Sequence, residues 1–308
     1  MKKFQNYICF LLITLCMCFL SACEKQSTAQ PEHKGEPRDS APVVLTPDAT
    51  GTTTFQTENV IVDISNSSEG YFMVKYTGSA EKVRVQLIAP DGTKSQPLLY
   101  LDGNYKVFPL TSGNGNYQVN ILENTTGNSY AVLLSETFEV TLADEFRPFL
   151  YPNQYVDYNA DTKAVKKGTE LSENAYSDLE VIQNIYNYVI DNISYDEEKA
   201  TAVKDGYLPI IDETLSSGKG ICFDYAALMT AMMRTQRIPT KLEIGYSGDV
   251  KHAWISAYVT EAGWVDNIIE FDGSSWTLMD PTLAASNSKK SVKKYIGDGS
   301  NYTLQYSY

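Results

Sequence analysis

Short runs of alternating apolar and polar residues follow one another between about residues 52 and 143. Such alternation is typical of strands with one buried face. The runs are Val60–Ile64, Tyr71–Tyr76, Val83–Ile88, Tyr117–Leu122, Ala131–Leu134 and Thr137–Leu142. Six or seven short strands at these intervals predict a β-sandwich over residues 52–143.

Turn residues separate these runs. Asp91-Gly92, Asp102-Gly103 and the segment Gly113–Asn116 favour tight turns with positive φ. The pattern indicates an all-β sandwich of immunoglobulin-like or fibronectin-like kind, although the Cys-Trp-Cys pattern of a true immunoglobulin domain is missing. This part has no catalytic constellation, so we expect a spacer or a docking surface for protein or glycan.

The periodicity becomes helical after a boundary near residues 143–152. Apolar residues from Leu179 to Val189 fall on one face of an amphipathic helix, whose aromatic residues we expect in a core. A second apolar run, Ala226–Met233, has no helix breaker and must end before Pro239. Strand patterns follow from Lys241–Tyr246 onwards. Helices followed by a sheet predict an α+β domain over residues 144–308.

The beginning of the chain has the pattern of an export signal. Lys2 and Lys3 precede the apolar stretch Ile8–Leu20, which is short for a membrane span. It ends in Leu-Ser-Ala-Cys23, which resembles the lipobox of bacterial lipoproteins. The resemblance implies that residues 1–22 are a signal peptide and that Cys23 carries lipid. The protein would then be anchored to the bacterial cell membrane, facing outside the cytoplasm.

Residues 23–51 are polar and rich in proline, which predicts a disordered, lipid-anchored linker. His33 lies in this linker, and we expect it to be solvated and without function. The formal net charge of −13 argues against nucleic acid as a partner. Nothing in the sequence has the spacing of a metal or cofactor site, so none is expected.

The five cysteines reduce to one free thiol under this interpretation. Cys9, Cys16 and Cys18 would leave with the signal peptide, and Cys23 would be lipidated. Cys222 would remain, after the flexible segment 216–221 and at the start of the second helix. A helix N-terminus favours a thiolate over a thiol. The alternative is a buried cysteine that packs as a small hydrophobe.

A histidine and an aspartate follow Cys222 in the order that nucleophilic catalysis needs. A thiol nucleophile requires a base, and the base requires a carboxylate to orient it. His252 opens a strand pattern, and Asp280 follows another before a proline. Asp266 and Asp272 are rival carboxylates, but both are expected at exposed turns. Asp224 is predicted to cap the cysteine helix by accepting backbone N–H bonds.

The segments 218–228, 237–240, 252–254 and 276–282 together resemble the transglutaminase-like superfamily of papain-fold enzymes. The resemblance covers roughly Leu171–Thr282 and implies a triad of Cys222, His252 and Asp280, with the cysteine helix packed on a sheet. Arg237 stands where the family pattern often has glycine, which concerns only the end of the helix. Trp254 and Trp276 are expected in the core, although either could border the acyl-binding slot.

The resemblance implies a reaction class and not a substrate. We expect a surface-anchored cysteine enzyme of thiol protease or amidase type, acting on a protein or cell-wall peptide. The alternatives are a cross-linking transglutaminase and a catalytically silent binding module. The backbone N–H of Cys222 is the expected oxyanion donor. Tyr207 is a candidate for the second donor.

Overall fold

The computed structural model describes residues 35–204, 206–247, 250–260, 263–265, 269–271, 276–278 and 302–308. Within them the fold is mixed α and β, with many strands and a helical layer in the second half of the chain. No helix among these residues is long and apolar enough to cross a membrane.

Eight strands occupy residues 54–140 and form two antiparallel sheets. They are β1 (Thr54–Gln56), β2 (Val60–Asp63), β3 (Tyr71–Tyr76), β4 (Val83–Ile88), β5 (Lys94–Ser95), β6 (Lys106–Pro109), β7 (Gly115–Thr126) and β8 (Ser129–Val140). One sheet has the order β1-β2-β3-β6, and the other has the order β5-β4-β7-β8.

The two sheets share one hydrophobic core. Alternate residues of β2, β3, β4 and β7 point inwards, as the sequence pattern predicts. Phe138 of β8 lies 6.1 Å from Phe72 of β3 and 6.2 Å from Tyr117 of β7, measured between ring centroids. Aromatic rings of both sheets therefore meet in the same interior.

The last strand differs from the prediction. Two strands were expected at 131–134 and 137–142, but β8 runs unbroken from Ser129 to Val140 and pairs with β7. The ladder contains an irregularity at Ile121/Leu122, where the register shifts. The shift leaves Leu133 as the extra residue of β8, beside Leu134, where two apolar residues follow each other.

Among the described residues after Val140, there are five α-helices and eight strands. The helices are α1 (Lys163–Ser172), α2 (Asp178–Asn192), α3 (Glu197–Ala202), α4 (Ile211–Ser217) and α5 (Cys222–Thr235). The strands are β9 (Ser194–Tyr195), β10 (Lys219–Gly220), β11 (Thr240–Ser247), β12 (Val250–Val259), β13 (Gly263–Val265), β14 (Ile269–Phe271), β15 (Trp276–Leu278) and β16 (Tyr302–Ser307). The predicted amphipathic helix is confirmed as α2, and the predicted cysteine helix as α5.

Helix α5 is the centre of this second part. Every one of its residues from Asp224 to Thr235 is buried. Helices α1 and α2 and the antiparallel sheet β13-β12-β11-β16 contribute to the core around it. A helix surrounded in this way needs apolar residues on most of its sides, which explains why the run Ala226–Met233 is apolar except for Thr230.

The N-terminal segment differs from the predicted linker. The backbone N–H of Arg38 donates to Ala175 O (2.7 Å), and that of Val43 donates to Thr235 O (2.8 Å) at the end of α5. Nε of Arg38 also lies 2.6 Å from Oδ1 of Asp178. Residues 38–43 are therefore packed against the helical part. Composition could not predict this packing, because the partners of these residues are distant in sequence.

Candidate active site

The segment before Cys222 is held by a two-stranded parallel ladder. Ser194 and Tyr195 of β9 pair with Lys219 and Gly220 of β10. The N–H of Ser194 donates to Gly218 O (2.8 Å), and the N–H of Asp196 donates to Gly220 O (2.9 Å). The thiol-bearing turn is thereby attached to the residues that follow α2.

Asp224 caps the helix that begins at Cys222. Its Oδ2 accepts the N–H of Ile221 at 2.8 Å, which confirms the capping prediction. A Cβ on Gly220 would lie 2.7 Å from the Cβ of Asp224, so only glycine fits beside the capping carboxylate.

Two further side chains bind this carboxylate, which has no exposed surface. Nζ of Lys199 lies 2.8 Å from Oδ2, and the hydroxyl of Tyr207 donates to Oδ1. Burial, and then the charge and hydrogen bond of Asp224, raise the pKa of Tyr207. The Tyr207 proton points to Asp224, so this hydroxyl is unsuited to the oxyanion-donor role that we considered for it.

His252 lies near the beginning of β12 and is buried. It pairs with Gly245 of β11, and its ring lies 6.3 Å from that of Trp254, nearly parallel to it. Trp254 is only 4% exposed, in agreement with its predicted place in a core. Ala253 and Ile255 belong to the core around α5. By strand alternation, His252 and Trp254 share the opposite face.

The thiol of Cys222 meets the strand directly after the histidine. The backbone N–H groups of Ala253 and Phe223 lie close to the sulfur and lower the thiol pKa. Burial is the larger effect, and it raises the pKa of Cys222 above its ordinary value; the charge of Asp224 acts in the same direction. The structure thus places the partly buried thiol of Cys222 near the backbone of β12, the strand that carries His252.

Tyr195 is a neighbour of the thiol that the sequence did not single out. Burial raises the pKa of its phenol, and the charge of Cys222 raises it further. The pairing of Tyr195 with Gly220, two residues before Cys222, explains this closeness. A lone tyrosine 27 positions before the nucleophile in sequence offers no local signal of such proximity.

The remaining site predictions lie outside the described residues. These are Asp280, its rivals Asp266 and Asp272, and the predicted lipidation site Cys23. In the part of the chain that the structure describes, no group of three or more His, Cys, Asp or Glu side chains is arranged to hold a metal ion.

Residues 165–281 match the family model described as the transglutaminase-like superfamily. Similar solved structures include the following three. One is a proposed cysteine protease from Cytophaga hutchinsonii, with 14% identity, a TM-score of 0.37 and coverage of 83% of this chain and 74% of that one. Another is a proposed protease from Parabacteroides distasonis, with 12% identity and a TM-score of 0.30. That match covers 65% of this chain and 60% of the other one.

The third is the transglutaminase of red sea bream, with 12% identity and a TM-score of 0.29. That match covers 71% of this chain and 49% of the fish enzyme. No curated protein matches the chain.

Proposed function

Because residues 165–281 match the transglutaminase-like superfamily, we propose that this chain is a cysteine acyl-transfer enzyme acting on amide or peptide bonds. Cys222 is the nucleophile, His252 the base and Asp280 the carboxylate that orients the base. One observation carries the proposal. The thiol at the N-terminus of α5 lies close enough to the backbone of Ala253, the residue next to His252, for that N–H to lower the thiol pKa.

In the proposed reaction the sulfur of Cys222 attacks the carbonyl carbon while His252 takes the thiol proton. The tetrahedral oxyanion forms beside the first N–H groups of α5, where the helix dipole favours negative charge. His252 then gives its proton to the departing amine or ammonia, leaving an acyl-enzyme. Water would release an acid, and an amine would form a new amide.

The raised thiol pKa restricts how Cys222 can be converted to the reactive thiolate. A buried thiol with a raised pKa is protonated at neutral pH, so a preformed thiolate cannot come from the helix N-terminus alone. His252 must therefore remove the proton, either before attack or during it. This requirement makes reactivity dependent on the histidine.

We favour hydrolysis over cross-linking because water needs no dedicated acceptor site. The substrate would be a protein or a cell-wall peptide outside the cytoplasm, with lipid on Cys23 holding the enzyme at the membrane. The two sheets of residues 54–140 would form the predicted immunoglobulin-like or fibronectin-like sandwich. Their shared core supports this assignment.

The test is the rate of Cys222 alkylation by iodoacetamide across pH, in wild type and in His252→Ala. Mass spectrometry of tryptic peptide 220–234 reads Cys222 alone, because no other cysteine lies in it. We expect the wild type to react at least about tenfold faster at neutral pH, since a thiol without its base stays protonated. Equal rates in the two proteins would point to the silent binding module.

A further inference from the structure

A cleft of about 390 Å³ lies between the two-sheet part and the helical part, and the residue that follows the proposed nucleophile lines it. This volume lies within the range of roughly 300–1,000 Å³ that is typical of small-ligand sites. Phe223, which follows Cys222, and Lys251, which precedes His252, both line it. The cleft is therefore bordered by residues next in sequence to Cys222 and to His252.

The position of Lys251 can be given more closely. Lys251 and Ala253 are two residues apart on β12 and so face the same side of the sheet. Their Cα atoms are about 6.6 Å apart at the usual strand rise. Since the N–H of Ala253 lies close enough to the thiol of Cys222 to lower its pKa, the Cα of Lys251 is two residues along the strand from the backbone nearest the thiol.

The charge of the cleft is opposite to that of the protein. The chain has a formal net charge of −13, yet the charged side chains that line the cleft are Lys82, Arg84 and Lys251 against Glu81. Lys82 and Lys251 are exposed, and none of the ion pairs described for the structure includes either of them. A local cationic surface on an acidic protein selects for anionic groups.

Aromatic rings form the floor of the same cleft. Phe223 lies 6.3 Å from Tyr155 and 6.2 Å from Tyr207, measured between ring centroids. Tyr207 is itself fixed by its hydrogen bond to Asp224. Flat, rigid rings bind a peptide backbone at small cost in conformational entropy.

The opposite wall is held in place by contacts between the two parts. Nε2 of Gln154 donates to Leu98 O (2.9 Å), and its Oε1 accepts the N–H of Tyr100 (3.3 Å). A Cβ on Gly206 would lie 3.0 Å from the side chain of Leu98. The cleft is thus preformed, and the two-sheet part is one of its walls.

We propose that this cleft binds a carboxylate-bearing segment of the peptide substrate, with Lys251 and Lys82 holding the carboxylate beside Cys222. This rests on the proposed function only in making Cys222 the nucleophile. The substrate class is an acidic peptide, and the two-sheet part takes part in its recognition.

The test compares two alkylating reagents that differ by one carboxylate. Iodoacetate and iodoacetamide attack the same thiolate, so the thiol pKa and the action of His252 cancel in the ratio of their rates at Cys222. The ratio is measured on the full chain in a neutral detergent, through tryptic peptide 220–234, with N-acetylcysteinamide as the reference thiol. Lys251→Glu and Lys82→Glu are the variants. The matched control is Lys166→Glu on α1, because Lys166 is exposed and does not line the cleft.

We expect wild type to favour iodoacetate more than the reference thiol does. Lys251→Glu should lower the ratio by roughly threefold to tenfold, from Coulomb interactions over about 7 Å in water. Lys82→Glu should lower it less, and Lys166→Glu should leave it unchanged. High salt should diminish the wild-type preference. A ratio that is the same in wild type and Lys251→Glu would overturn the proposal.

Peptide binding is tested separately by protection of Cys222 from iodoacetamide. The probes are acetyl-Ala-Glu-Ala-amide and acetyl-Ala-Gln-Ala-amide, which differ only in the carboxylate. The acidic peptide should protect wild type at a lower concentration and lose that advantage in Lys251→Glu. Equal protection by both peptides would contradict carboxylate selection. Because protection requires no turnover, this result is distinguishable from failure of the proposed acyl transfer, which the His252→Ala comparison reports.

Discussion

Lys199 places its ammonium nitrogen 2.8 Å from Oδ2 of Asp224, a fully buried carboxylate two residues after the proposed nucleophile. The same carboxylate caps α5 and accepts the Tyr207 hydroxyl. Asp224 therefore joins α3, the 206–210 loop and the first turn of α5. The orientation of Cys222 depends on these three contacts.

Asp224→Asn should lower the free energy of unfolding by about 2 kcal/mol. The introduced asparagine amide cannot form the ion pair with Lys199, and its N–H groups would face other hydrogen-bond donors. The loss is limited because 29% of the Lys199 side chain is exposed, so its ammonium group can be hydrated. Urea denaturation measures the effect. Ser177→Ala, which removes only a neutral cap from α2, should cost about 1 kcal/mol. A loss for Asp224→Asn no larger than for Ser177→Ala would contradict a structural ion pair.

The raised pKa of Cys222 predicts a loss of stability at alkaline pH. The folded state holds the thiol proton more tightly than the unfolded state does, so the unfolded state is favoured once pH exceeds the unfolded thiol pKa of about 8.5. The free energy of unfolding of wild type should therefore fall, relative to Cys222→Ser, as pH rises through this value. Parallel curves for the two proteins would mean that the Cys222 pKa is not raised by folding.

Gly245→Ala should disturb the strand pair that holds His252. A methyl group there would lie 2.0 Å from Thr303 O and 2.8 Å from the Trp254 ring, and the first neighbour is backbone. We expect about 2 kcal/mol of destabilisation, as for an overpacked core. Because Gly245 pairs with His252, the rate of Cys222 alkylation should also change. If the variant kept wild-type stability and reactivity, β16 would have shifted at little cost to make room for the added methyl group.

Arg234→Lys should be strongly destabilising. The guanidinium is buried and donates to Thr240 O (3.0 and 2.8 Å), Tyr151 O (2.5 Å) and Tyr308 O (2.8 Å). Burial lowers the pKa of Arg234 to about 10. An ammonium cannot reach three separate carbonyls, so we expect a loss of about 3 kcal/mol in chemical denaturation.

Arg147→Lys is the matched control for this substitution. Arg147 forms a partly exposed ion pair with Glu69 at 3.0 Å. Exposed pairs contribute little, so its replacement should change stability by no more than about 0.5 kcal/mol. Similar losses in the two variants would show that Arg234 does not connect the segments that it contacts.

Arg237 illustrates what a family pattern can and cannot tell. It stands where glycine is common, and its φ of 63° is the left-handed conformation that glycine adopts most easily. Its guanidinium donates to Ala41 O at 2.7 Å. A contact with a residue almost two hundred positions away accompanies the strained backbone, and no local pattern could have predicted it.

The sequence by itself determined the local features of this protein. Apolar periodicity located α2 and α5, alternation located most strands, and Asp224 was predicted as a cap because capping acts within one helical turn. The tertiary structure alone decided which distant groups meet. Lys199 and Tyr207 at Asp224, Tyr195 near Cys222, the packing of residues 38–43 and the cationic cleft all join segments that are far apart in sequence. Their positions follow from strand pairing and core packing, which local propensity does not encode.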